Sequence, residues 1–150
     1  MMTASLQTLY ERELDTLTKE VSAYTDDTVF WKIENAIKNS GGNLAIHLIG
    51  NLNHFIGATL GNTGYVRQRD KEFNDKNISR EQIINEISQL KVMVAKVLST
   101  LSQQDLEKTY PIDVFGHKMT TEYFLLHLYG HLNYHLGQIN YHRRLLDATN

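Results

Sequence analysis

Four stretches of the chain place apolar residues at three- and four-residue steps, the period of a helix that buries one face. The first predicts a helix from about Ala4 to Tyr24. Leu6, Leu9, Tyr10, Leu14, Leu17 and Val21 share one side, and Glu11, Arg12, Asp15 and Lys19 fall between them. The second predicts a helix from about Asn43 to Leu60, carrying Leu44, Ile46, Leu48, Leu52, Phe55 and Ile56. Gly41-Gly42 precedes it, and Gly61-Asn62 supplies a stop. The third opens at Ser79, where Ser79 and Gln82 form a capping-box pattern. It continues through Ile83, Ile84, Ile87, Leu90, Val94, Val97, Leu98 and Leu101. The fourth starts at Thr120 or Thr121 and runs through Phe124, Leu125, Leu128, Leu132, Leu136, Ile139 and Leu145.

The connections differ from one another. Residues 25–40 hold the apolar run VFWKI, which predicts packing against the end of the helices. Residues 62–77, NTGYVRQRDKEFNDKN, are polar and charged and make a longer crossover between helices 2 and 3. Residues 109–120, TYPIDVFGHKMT, contain the only proline and alternate around Phe115-Gly116, which predicts a small hairpin before helix 4. There is no internal repeat and no low-complexity tract. The expectation is an all-α four-helix bundle. It forms one domain over residues 1–150, long enough to bury a core.

Charge and composition narrow the function by exclusion. The formal net charge is −2, from 15 basic and 17 acidic side chains, which does not supply the basic field of a nucleic-acid binder. No apolar run is long enough to span a bilayer. The segment MMTASLQTLYEREL carries charges where a signal peptide needs apolar residues, so a cytoplasmic location is expected. The chain has no cysteine. A thiolate metal site and a cysteine nucleophile are therefore excluded, and any metal falls to His, Asp, Glu, backbone or water.

The 7 histidines are clustered, with only His117 alone. His127, His131 and His135 lie in HLYGHLNYH on the fourth helix, followed by His142, and His47 and His54 lie on the second. Steps of four drift by about 40° around a helix, so the first three fan over about 80°. Two neighbours at i and i+4 can share an ion. All three from one straight helix would meet it with poor geometry. A histidine from the second helix and an i, i+4 pair from the fourth would form a three-nitrogen face with open positions. Imidazole donors suit Zn, Ni, Fe or Cu. The plainer reading is a set of surface or hydrogen-bonded core histidines. Neither HExxH nor Glu-x-x-His occurs, so a zinc-protease helix and a di-iron carboxylate bundle are unsupported. Gly130 and Gly137 each cost about 1 kcal/mol against alanine in a helix interior, which predicts close approach of a neighbouring helix or loop.

Three motifs, NSGGNLAIHLIGNLNHFIG, VRQRDKEF and HLYGHLNYHLGQINYHRRLL, together resemble the DinB/YfiT-like superfamily of bacterial four-helix bundles, over nearly the whole chain. The resemblance implies a divalent transition metal (Zn, Ni, Fe or Mn) held by one histidine of the second helix and an i, i+4 pair of the fourth. The second-helix ligand of that family begins an H-L-x-x-N/D/S stretch, which matches His47; the pair matches His131 and His135. His127 and Gln138 would then stand behind the ligands. His54 is the rival to His47, about 10 Å further along the axis, and the choice depends on a register that sequence does not fix. Arg67, Arg69, Asp70 and Glu72 resemble a loop motif of one branch. Either arginine could receive an anionic substrate group, and either carboxylate could support a metal-bound water; the plainer reading is an ion-paired surface loop.

The family includes thiol S-transferases that use low-molecular-weight thiols, and others that look like hydrolases. The resemblance implies a metal-dependent enzyme of one of these kinds, acting on a small molecule or a thiol. With no cysteine in the chain, any thiolate must arrive on the substrate. The alternatives are a non-catalytic, stress-related metal- or small-molecule-binding protein and a purely structural dimeric bundle. A homodimer is expected from the family and from the apolar residues of the first and third helices.

Overall fold

The computed structural model describes residues 1–147. The helical elements are α1 (Met2–Ala23), α2 (Asp27–Phe30), α3 (Gly41–Leu52), α4 (Thr59–Gly61), α5 (Arg69–Asn74), α6 (Arg80–Thr100), α7 (Gln103–Glu107) and α8 (Thr121–Leu146). A π-helical segment, Asn53–Ala58, joins α3 to α4, so the three run on as one long element. Among the described residues there is no strand, and the fold is all-α.

The four long segments close a ring. α1 packs on α6 and α8, and α3 packs on α8 and α6. Leu6, Tyr10, Leu14, Leu17 and Val21 of α1 and Ile83, Ile87, Leu90, Val94 and Leu98 of α6 are all buried in the core. Each such side chain contributes about 1.5–3 kcal/mol on burial. The apolar stripes of the first and third long helices are therefore spent within the chain. Tyr10 shows the cost of burying a hydroxyl: its OH must donate to a partner, and it reaches Leu125 O at 2.7 Å, tying α1 to α8.

Local chemistry sets the element ends. Ser40 caps α3 by accepting from Asn43 N, and Gly41-Gly42, read above as preceding the helix, form its first turn. A Cβ at Gly42 would lie 2.7 Å from the Trp31 ring, so glycine lets the VFWKI run pack there. At α6 only half of the capping box forms. Ser79 accepts from Gln82 N, but the Gln82 side chain donates to Glu86 instead. Both arms form at Ser102 and Asp105, ahead of α7.

The hairpin expected before helix 4 is reduced to one antiparallel bridge, Thr109 with Thr120. Tyr110 N donates to Met119 O at 2.9 Å and Thr121 N donates to Lys108 O at 2.8 Å. Pro111, the next residue, has no N–H with which to extend a ladder. The crossover of residues 62–77 is not a plain loop, because it contains α5. The close approach expected at Gly130 and Gly137 is absent: both are exposed, and a Cβ at either meets nothing within 4 Å.

Candidate metal centre

Three histidine nitrogens converge between α3 and α8. His131 Nε2 lies 3.2 Å from His47 Nε2 and 3.1 Å from His135 Nε2. All three residues can offer a nitrogen within 4.8 Å of the others. Two nitrogens at 2.0–2.1 Å from a tetrahedral ion would lie about 3.3 Å apart, so this spacing fits a shared cation. His47 is buried, and the other two are half-buried.

The protons of these rings are fixed from behind. His47 Nδ1 donates to Glu72 Oε1 at 3.0 Å, and His135 Nδ1 donates to Gln138 Oε1 at 2.6 Å. Both Nε2 atoms are therefore bare lone pairs aimed at His131. His131 Nε2 carries at most one proton and can satisfy only one of them. Burial, then the neighbouring His135, His47 and His127 rings and Arg67, push the His131 imidazole down to about 3. Burial also lowers His135, against the opposing hydrogen bond to Gln138. Neutral imidazoles are the ligand form that a metal needs.

Two polar atoms beside the histidines have no partner. His131 Nδ1 and Asn51 Oδ1 are buried side-chain atoms without a hydrogen-bond partner, and both residues line the same cavity. A cation on Nε2 requires the His131 proton to sit on Nδ1. That N–H has no hydrogen-bond partner among the described residues.

Behind His47 the support is built from two elements. Asn43 Nδ2 donates to Glu72 O at 3.0 Å and to Asp75 O at 2.9 Å, which fastens α5 onto α3. Gly50 leaves room for the carboxylate, since a Cβ there would overlap the Glu72 side chain. Arg67 grips Glu72 with two hydrogen bonds, 2.9 Å to Oε2 and 2.8 Å to Oε1. Burial works to raise the Glu72 carboxyl, but hydrogen bonds from His47 and Arg67 outweigh it and hold the group below the usual carboxylate range. A carboxylate behind a ligating histidine fixes its tautomer and raises its basicity.

The other residues singled out in the sequence fall elsewhere. His54 lies in the π-helical segment, packs on Phe55 with ring centroids 4.7 Å apart, and stays outside the converging set. Burial and Arg67 lower its pKa. His127 stacks on Phe124 and lines the cavity beside the three histidines. Arg67 is engaged by Glu72, while Arg69 lies at the cavity wall with its guanidinium 5.1 Å from the Phe73 ring centroid. Asp70 is exposed and does not line the cavity. His142 belongs to a separate cluster with Tyr24 and Lys32.

Sequence reasoning missed Asn43, Gly50 and Phe73. Asn43 and Gly50 flank His47 at one helical turn on either side, a signal available in hindsight. Phe73, whose ring lies 4.9 Å from that of His47, closes the VRQRDKEF motif, which does not show that contact. The π-helical turn was also missed. There Tyr110 OH donates to Phe55 O and Thr59 Oγ1 donates to His54 O, taking up carbonyls in a segment that departs from the α-helical ladder.

The fold has a solved counterpart. The crystal structure of a DinB-like protein from Bacillus cereus ATCC 10987, at 2.01 Å resolution, superposes with a TM-score of 0.69. The two are 22% identical, over 89% of this chain and 85% of that one, which establishes a DinB-like fold. No curated protein matches the chain. The family model described as "Protein of unknown function (DUF1572)" matches residues 3–150. The chain belongs to that family, and its fold is DinB-like. Among the described residues, no helix is long and apolar enough to cross a membrane.

Proposed function

We propose that His47, His131 and His135 hold one divalent transition metal, and that the protein is a metal-dependent hydrolase or low-molecular-weight-thiol S-transferase. The observation that carries this reading is the pair of bare Nε2 lone pairs facing His131 Nε2 at 3.1–3.2 Å. One proton cannot satisfy both contacts, and a cation satisfies all three nitrogens. Three imidazoles favour Zn, Ni or Fe over Mn, which prefers oxygen donors. When bound, such an ion lowers the pKa of water or of a thiol and supplies a nucleophile near neutral pH.

The chain's own groups then have separate tasks. Glu72 and Gln138 hold the His47 and His135 rings with Nε2 unprotonated. Arg67 keeps Glu72 ionised. The cavity of about 520 Å³ beside the histidines, walled by Phe55, Phe73, Phe115 and Phe124, excludes water from one side of the substrate. The thiol, if the cosubstrate is one, must come with the substrate, because the chain has none.

The test pairs metal content with turnover. Elemental analysis of untagged protein is expected to give about one metal per chain, and His131→Ala to remove it. Metal-loaded protein is then offered ester and amide substrates, and thiols with electrophiles. Rates that vanish on chelation support the enzyme. A retained metal with background rates throughout favours a non-catalytic metal-binding protein, and no metal at all contradicts the reading.

A homodimer belongs to the same proposal. The apolar stripes of α1 and α6 face inward, which leaves the exposed Tyr134, Tyr141 and Leu145 of α8 as the surface for a second copy. Sedimentation of wild type beside Tyr134→Glu tests it: a monomeric wild type contradicts it.

A further inference from the structure

The cavity beside the three histidines has a one-sided lining. Its charged residues are Arg67 and Arg69, and no acidic side chain lines it. Arg67 is already paired with Glu72, two oxygens to two nitrogens. Arg69 makes no ion pair or side-chain hydrogen bond among the described residues; its guanidinium rests over Phe73. It is also the first residue of α5, where a cation opposes the helix dipole. The contact with Phe73 is the one interaction that holds it among the described residues.

The rest of the wall is aromatic. Four of the 5 phenylalanines in the chain line this cavity: Phe55, Phe73, Phe115 and Phe124. Phe55 and Phe124 meet edge to face at 5.1 Å, and Phe115 stands 6.1 Å from Phe124 in the same manner. Phe115 is 43% exposed, so apolar area is left open at the cavity rather than closed over. A volume of about 520 Å³ is in the range of small-molecule sites. An aromatic ring extends an edge-to-face set better than an aliphatic chain of similar area.

We propose that this cavity takes a small anionic ligand with an aromatic body, its acidic group held by Arg69 and its ring by the phenylalanine wall. The inference rests on the reading of this cavity as the ligand site of the metal centre, and it names the substrate class. Arg69 is a binding residue here and has no part in holding the metal.

The probe is 3-phenylpropionate, with neutral 3-phenylpropanamide and non-aromatic pentanoate as controls. Binding is measured by calorimetry on zinc-treated and metal-free full-length protein. The acid is expected to bind at least about tenfold tighter than the amide, as a charge-assisted contact requires. Arg69→Gln is expected to erase that difference while leaving zinc content and the circular-dichroism spectrum unchanged. Phe115→Ala is expected to weaken 3-phenylpropionate and leave pentanoate unaffected. Equal binding of acid and amide, an acid affinity indifferent to Arg69→Gln, or no measurable binding of the acid overturns the proposal. The two readings fail separately. Arg69-dependent acid binding in protein that takes up no metal keeps this inference and removes the metal. Bound zinc without acid preference does the reverse.

Discussion

His131 and His142 occupy the same helix, nearly eclipsed on its surface, yet their surroundings differ in kind. His142 has both ring nitrogens satisfied by oxygen partners. Nε2 donates to Lys32 O at 2.8 Å, and Nδ1 accepts from Tyr24 OH at 2.8 Å. Burial lowers its pKa against the Lys32 hydrogen bond, and the neutral ring serves as a clamp between α8 and the segment after α2. His131 has nitrogen partners on Nε2 and none on Nδ1. Oxygen partners complete a structural histidine. Converging nitrogens leave lone pairs that call for a cation. Spacing along a helix is blind to this difference, because it is set by what the neighbouring elements bring.

The comparison is most exposed to zinc. Zinc at 100 times its Kd is expected to stabilise the wild type by about 2.7 kcal/mol. His142→Ala should show the same shift in melting temperature, and His131→Ala none. A shift that survives His131→Ala would erase the distinction between the two histidines. Next in size, Glu72→Gln should weaken zinc binding about 10- to 100-fold by calorimetry, because it replaces the charged acceptor behind His47 with a neutral amide. Gly50→Ala should act in the same direction, since the new methyl group displaces the Glu72 carboxylate.

His142→Ala takes the donor from Lys32 O and one of two acceptors from Tyr24 OH, which keeps Ile139 O at 3.2 Å. A loss of roughly 1–3 kcal/mol in urea unfolding is expected, with zinc content intact. The smallest effect concerns pH. His131 and His135 titrate below the ordinary imidazole value, so the unfolded chain takes up these protons first. Their contribution to the metal-free fold is fully present above about pH 6.5. It is lost as pH falls from there toward the folded values, about 3 for His131. Melting temperature against pH should be flatter in His131→Ala. His54→Ala should leave zinc content unchanged.

The period of the apolar residues carried the four long segments, because burial of one face is a property of sequence alone. His47, His131 and His135 come forward not from that period but from the resemblance of their motifs to the DinB-like proteins. What escaped it depends on contacts between elements. The Ser79 pattern forms only one arm because Gln82 finds Glu86. Pro111 and the single Thr109–Thr120 bridge replace a hairpin. α5 was read as charged loop, since its structure comes from Asn43 gripping its backbone carbonyls rather than from an apolar stripe. The four charged residues of that loop looked equivalent in sequence. In the fold they divide: Arg67 and Glu72 pair behind His47, Arg69 reaches the cavity wall, and Asp70 faces outward.

The most direct measurement is long-range proton–nitrogen NMR of the histidine side chains during zinc titration. The account expects the Nε2 resonances of His47, His131 and His135 to shift together and saturate at about one equivalent. His54 and His142 should stay in place. Movement of His142 or His54 instead, or no movement of any ring at all, would contradict a metal centre at these three nitrogens.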